Sequence, residues 1–94
     1  MMSEIMRFVK KLFGKYETGY EYWVYLKDIK VPGYYKHTQV GKIKWIHKLN
    51  YWRRTGKFES KIILDRDFVL KDGYSSVKIA YLNGIDKVPV YFVD

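Results

Sequence analysis

Ninety-four residues carrying 18 Lys and Arg against 10 Asp and Glu give a formal net charge of +8, and the chain has no cysteine. The length allows one domain that buries roughly two-thirds of its unfolded surface; ten Tyr, five Phe and three Trp supply the large buried areas that a short chain needs. Disulfides and thiol chemistry are excluded, no apolar run approaches the roughly 18 residues of a membrane span, and Met1 to Gly14 lacks the continuous apolar core and small-residue cleavage site of a signal peptide, so the expected protein is cytoplasmic and unprocessed.

In chain order, Ser3 and Glu4 form a helix start, because a Ser N-cap and an early acid suit the helix dipole. Ile5, Phe8, Val9, Leu12 and Phe13 then recur at helical spacing, and Gly14 is a C-terminal stop. Tyr16 to Tyr20 is a turn around Gly19. From Glu21 to Ile29 the aromatic and β-branched residues predict a strand, broken by Val31-Pro32-Gly33. Tyr34 to Thr38 reads as loop. Gln39 to Thr55 reads as the longest helix, with Thr38 as a cap and Ile43, Ile46, Leu49 and Trp52 pointing inward; Gly41 weakens its first turn and Gly56 ends it.

Lys61 to Leu64 predicts a short strand, Asp65-Arg66-Asp67 a turn, and Phe68 to Leu70 a returning strand, which together make a hairpin. Asp72-Gly73 leads into a helix over Tyr74 to Leu82, capped by Asn83-Gly84. Val88 to Val93 is a final strand whose Pro89 suits an edge or first position. The result is an α+β domain with a small mixed sheet of about four strands and two or three helices. Residues 1–19 form a basic helix and turn, and residues 20–94 the main domain.

The tail IILDRDFVLKDGYSSVKIAYLNGIDKVPVYFVD resembles the ParB/sulfiredoxin-like family, in which a hairpin of the form I-x-V-D-x-D-x-x-L-x-D-G feeds a short helix and then G-x-x-x-V-P-V. The resemblance covers about residues 20–94, is strongest from Ile62 to Val93, and leaves the N-terminal helix outside. It implies a helix N-terminus after the hairpin, poised for an anion. ParB proteins carry Gly-Glu-Arg-Arg there and hold nucleotide phosphates; sulfiredoxins carry Gly-Cys-His-Arg with a catalytic cysteine. The matching positions here are Gly73, Tyr74, Ser75 and Ser76. Without any cysteine, sulfiredoxin activity is excluded. Without the arginines, the bidentate phosphate grip is gone, and the segment matching the earlier Gln-Pro-Arg-like loop reads Tyr-Tyr-Lys-His-Thr. The resemblance therefore does not carry CTP hydrolysis to this chain, and no helix-turn-helix reader follows within the 94 residues.

Charge supplies a second line of argument. Residues 1–57 hold 13 Lys and Arg against four acids, whereas residues 58–94 hold five against six. Such a clustered excess is the footprint of a polyanion-binding face or a solvated basic surface. Its densest part is Lys42, Lys44, Lys48, Arg53 and Arg54, with Lys57 just beyond. Lys44, Lys48, Tyr51 and Thr55 share one helix face. Lysines of this kind track phosphates, while aromatics among them either stack on bases or belong to the core.

The candidate phosphate or nucleotide site is Gly73, Tyr74, Ser75 and Ser76 with Lys78; the two hydroxyls either cap the helix or bind phosphate, and Asp72 opposes an anion. His37 falls in the segment that faces this turn in the resembling fold. His37 and His47 do not make a metal site, which needs three or four matched ligands, and Asp65 and Asp67 fit turn chemistry better than a nuclease centre. The expected function is a non-catalytic module that binds nucleic acid, DNA rather than RNA, through its phosphates, with no cofactor and no metal. A nucleotide-binding or hydrolysing ParB-like domain and a domain docking an acidic protein partner are the alternatives. The sequence does not fix the oligomeric state.

Overall fold

The structure, a computed structural model, describes residues 16–37 and 41–94. The helix expected over Ser3 to Gly14 lies outside them, as do Thr38 and Gln39.

Strand β4 (Lys87–Phe92) organises the sheet. Its Val88, Val90 and Phe92 alternate with Lys87, Pro89 and Tyr91, so the period-2 geometry of a strand sends one set into the core and the other outward. On one flank lies β1 (Tyr22–Tyr25), antiparallel, with Trp23 opposite Pro89 and Tyr25 opposite Lys87. On the other flank lies β2 (Ile62–Leu64), parallel, with Ile62 opposite Val90. β3 (Leu70–Asp72) pairs antiparallel with β2, giving the order β1-β4-β2-β3. A parallel pair cannot close through a tight turn. The return from β2 to β4 runs through β3 and helix α2 (Tyr74–Leu82). Val77 and Ala80 of α2 close one face of the sheet against Ile62, Leu64, Leu70, Val88, Val90 and Phe92. Tyr16 stacks on Phe92 with ring centroids 4.3 Å apart and meets Phe68 edge-on. Helix α1 (Lys42–Thr55) precedes β2 and packs on α2.

The α+β class, the four-stranded mixed sheet, helix α2 and the short β2 are as the sequence predicts. Several details differ. The strand expected over Glu21 to Ile29 stops at Tyr25. Leu26 there donates its N–H to the Asp86 carbonyl, and Leu26–Asp28 winds into a 3₁₀ turn that delivers Ile29 to the core. The loop expected over Tyr34 to Thr38 is a 3₁₀ segment, Gly33–His37, started by the Tyr35 N–H on the Pro32 carbonyl. β3 begins at Leu70 rather than Phe68, because Phe68 is left-handed (φ 65°) and cannot continue a strand. Pro89 lies in an interior strand, not an edge. It is tolerated because pairing with β2 starts one residue later, at Val90, so Pro89 has a strand partner on one side only.

Helix α1 departs furthest from the expected pattern. Ile43 is 86% exposed and Ile46 45%, so the expected inward row holds only at its end, where Leu49 and Trp52 are half-buried. A row stepped by three drifts around a helix of 3.6 residues per turn. Ile43 and Trp52 therefore lie on opposite sides, and the inward face is Trp45, Lys48, Leu49 and Trp52.

One turn shows how local chemistry fixes the hairpin. Asp65 Oδ1 accepts the N–H groups of Asp67 and Val69 at 2.8 and 3.0 Å, with the Lys71 ammonium 3.7 Å from its other oxygen. Burial pushes its pKa up, but the two backbone donors and Lys71 outweigh that and hold the carboxyl below its ordinary 3.8. A lowered folded-state pKa contributes stability above the unfolded-state pKa, and the contribution disappears as the pH falls through the folded value. Asp65→Ala should thus lower unfolding free energy by about 1–2 kcal/mol at neutral pH, and the gap to wild type in urea melts should narrow below about pH 4.

Candidate nucleic-acid interface

Helix α1 contains no acidic residue, and Gly41 at its N-cap offers no side-chain acceptor. Its first turn carries Lys42 and Lys44, where the helix dipole is already positive and local stability favours Asp or Glu. Its last turn carries Arg53 and Arg54, where cations suit the dipole. Lys42, Lys44, Arg53, Arg54 and Lys57 are all exposed. Among the described residues none of the five has an ion-pair partner. Arg54 lies over the Tyr51 ring at 5.8 Å from the centroid. Thr55 Oγ1 donates to the Tyr51 carbonyl at 2.8 Å and accepts the Lys57 N–H at 3.1 Å, which fixes the chain as it leaves the helix.

Lys48 is placed differently from its neighbours. Its side chain is 20% exposed, its Nζ donates to Ser60 Oγ, and it lies 3.9 Å from Glu59 Oε1. His47 Nε2 is 3.2 Å from the other oxygen of Glu59. These contacts tie α1 to the segment before β2, so Lys48 serves the fold, and the free cations cluster at the two ends of the helix. Of the aromatics, Trp45 and Trp52 are half-buried on the inward side. The Lys78 ammonium sits over Trp45 at 5.3 Å, which directs it toward α1 rather than toward the Gly73 turn.

At the Gly73 turn most polar groups are already committed. Gly73 adopts φ +90°, and Asp72 Oδ1 accepts its N–H at 2.8 Å. Ser76 is buried, and its hydroxyl donates to the Ser60 carbonyl at 2.6 Å, so it staples α2 to the chain entering β2. Ser75 is buried beside it. Tyr74 stacks on Tyr35 at 5.0 Å, and Tyr34 follows at 4.6 Å. Tyr35 donates its hydroxyl to the Lys71 carbonyl, and its pKa is raised by burial first, then by Tyr34 and the Asp72 charge. The 3₁₀ segment does face the Gly73 turn, through Tyr35; the His37 side chain lies outside the described residues. Among the described residues no group of three or more His, Asp or Glu is placed to hold a metal ion. No helix among them is long and apolar enough to cross a membrane.

One crystal form of a Pnob8-like ParB-N domain matches 80% of this chain and 30% of its own length, with a TM-score of 0.67 and 23% identity. A pNOB8-like ParB N-domain matches 80% of this chain and 28% of its own, with a TM-score of 0.63 and 26% identity. The fold is ParB-N-like. The chain spans under a third of the length of either structure. No family profile matches it, and no curated protein matches it in sequence.

Within this ParB-N-like fold, the sequence reading overlooked two features. The Tyr34-Tyr35-Tyr74 stack joins segments far apart in the chain. The outward face of the sheet displays Trp23, 64% exposed, and Tyr25, 43% exposed. The run Tyr22-Trp23-Val24-Tyr25 has no polar alternate to mark the outward side, which is why the pattern gave no warning.

Proposed function

We propose that this ParB-N-like domain is a non-catalytic module that grips nucleic-acid phosphates, with duplex DNA as its principal ligand, through α1 and Lys57. The observation that carries this reading is the set of exposed cations on an acid-free helix, none with an ion-pair partner among the described residues. Unpaired surface cations at the positive end of a helix cost local stability, and a polyanion offsets that cost. Phosphate contacts of this kind orient a protein on DNA without reading sequence. The Gly73 turn supports a nucleotide site less well, because Ser76 and Asp72 are spent on holding the fold.

Amide chemical-shift titration of the labelled protein with a short mixed-sequence DNA duplex, repeated at high salt, tests the proposal. Shifts along Lys42 to Lys57 that fade with salt are expected from counterion release. No shifts at low salt, or shifts indifferent to salt, would refute it. Shifts or heat at Gly73 to Ser76 on adding CTP or ATP with magnesium would move the function to that turn.

A further inference from the structure

The sheet has two faces, and only one is closed by α2. On the other, Trp23 and Tyr25 project from β1, and Pro89 and Tyr91 from β4, because alternate residues of a strand share a face. The segment from Gly56 to Lys61 borders this face and makes a groove of about 410 Å³, whose lining includes Trp23, Trp52, Lys57, Lys61, Pro89 and Tyr91. Cations are set directly against the rings: Lys61 lies 4.9 Å from the Tyr91 centroid, while Lys87 and Lys27 lie 4.8 and 5.5 Å from that of Tyr25. The groove has two acids. Glu59 faces Lys48 and His47, and Glu21 accepts a long 3.4 Å bond from the Tyr91 hydroxyl. The face therefore combines exposed Trp23 and Tyr25 with lysine ammonium groups that lie over the Tyr25 and Tyr91 rings.

We infer that this sheet face, open among the described residues, is a stacking platform for single-stranded nucleic acid, distinct from the phosphate grip of α1. Unpaired bases offer π-faces that the exposed Trp23 can accept, with Tyr25 and Tyr91 beside it, and the connecting phosphates complement Lys61 and Lys87. A duplex buries its base faces and cannot use the rings. Four-stranded sheets with outward aromatics serve unpaired bases by the same physics. A polypeptide partner would meet cations where an apolar anchor is wanted, and a peptide strand adds at a sheet edge rather than on its face. The platform does not depend on the α1 reading, since it uses different residues and a different form of the ligand.

The test is fluorescence anisotropy of end-labelled oligo(dT) and oligo(U), and of a duplex, with the full-length protein and its variants at low salt. Trp23→Ala should weaken binding to the single strands about five- to a hundredfold, the range typical of one stacked base. Duplex binding should stay unchanged, and Trp23→Phe should recover much of the loss. Lys61→Gln with Lys87→Gln should flatten the salt dependence of single-strand binding. Because Trp23 is 64% exposed, the variants should keep the wild-type circular dichroism spectrum. A preference for oligo(U) or for oligo(dT) identifies the ligand as RNA or DNA, and either supports the platform. Failure of single strands to bind, equal affinity of Trp23→Ala and wild type, or equal loss in Trp23→Phe and Trp23→Ala overturns it. Loss of duplex binding on α1 charge removal, with single-strand binding intact, would separate the two sites.

Discussion

Gly73→Ala is expected to be among the most damaging single substitutions in the domain, while Gly84→Ala, at a similar backbone conformation, is expected to be mild. Both glycines are left-handed, with φ +90° and +67°. A Cβ at Gly84 meets nothing within 4 Å, so alanine there costs about the 1 kcal/mol of a strained φ. A Cβ at Gly73 would lie 2.3 Å from the Lys61 carbonyl oxygen and 2.7 Å from the Ile62 Cα. These are backbone atoms at the start of β2, which is hydrogen-bonded to β4 on one side and β3 on the other. Neither strand can retreat without breaking a ladder. The strained φ and the overpacking together cost roughly 3–5 kcal/mol. That is a large part of the roughly 5–15 kcal/mol that holds a domain of this size together. In thermal melts each kcal/mol corresponds to about 4–8 °C, so Gly73→Ala should melt some 15 °C or more below wild type and Gly84→Ala within several degrees of it. Comparable melting temperatures for the two variants would mean that β2 yields to the methyl group.

The same glycine shows what the sequence could and could not reveal. Its position after the hairpin, followed by a helix and Val-Pro-Val, carries the resemblance to the ParB family that implies the fold, while turn chemistry and strand alternation, being local signals, give the individual elements. The reason for Gly73 is not local. The clash partner, Lys61, is twelve residues upstream, and only the sheet register brings it close. Ser76 follows the same rule. A hydroxyl at the start of a helix reads equally as a cap, a phosphate ligand or a staple, and the distant Ser60 carbonyl decides it. Phe68 is a further case. Nothing in a Phe announces a left-handed backbone, yet the turn places it there and packs its ring on Phe92 at 5.3 Å.

For α1 the sequence disclosed the charge but not the geometry. An acid-free helix with five Lys and Arg is visible in the letters. Which of them are available is not, since Lys48 differs from Lys44 only in lying nearer the inward arc of Trp45, Leu49 and Trp52. An expected inward row at every third residue concealed that arc, because three-residue steps turn from one side of the helix to the other over nine residues. The exposed Ile43 and Ile46 are the consequence, and neither carries a role in the phosphate grip. The sheet face was concealed for a related reason: where every residue of a strand is aromatic or β-branched, alternation cannot say which side faces water.

Neutralising exposed cations of α1 together with Lys57 should change the salt dependence of duplex binding more than any other property of the protein. In the variant Lys42→Gln, Arg53→Gln, Arg54→Gln, Lys57→Gln, four exposed charges are removed. If each meets one phosphate, the slope of log K against log salt should become shallower by about 3.6, at roughly 0.9 per contact. Between 50 and 200 mM salt the wild type should then lose about a hundredfold more affinity than the variant. The helix itself should survive, because the arginines contribute only about 0.3–1 kcal/mol each against the dipole and the lost Arg54–Tyr51 contact is exposed. Lys48→Gln is the internal control. It removes the same charge, but from a side chain bonded to Ser60 and facing Glu59, so it should reduce stability while leaving the slope unchanged. A quadruple variant with the wild-type slope, or a Lys48→Gln slope shift as large as that of any single exposed cation, would show that the phosphates lie elsewhere. With both results as expected, the distinction between cations that hold the fold and cations that await a ligand becomes a measured one.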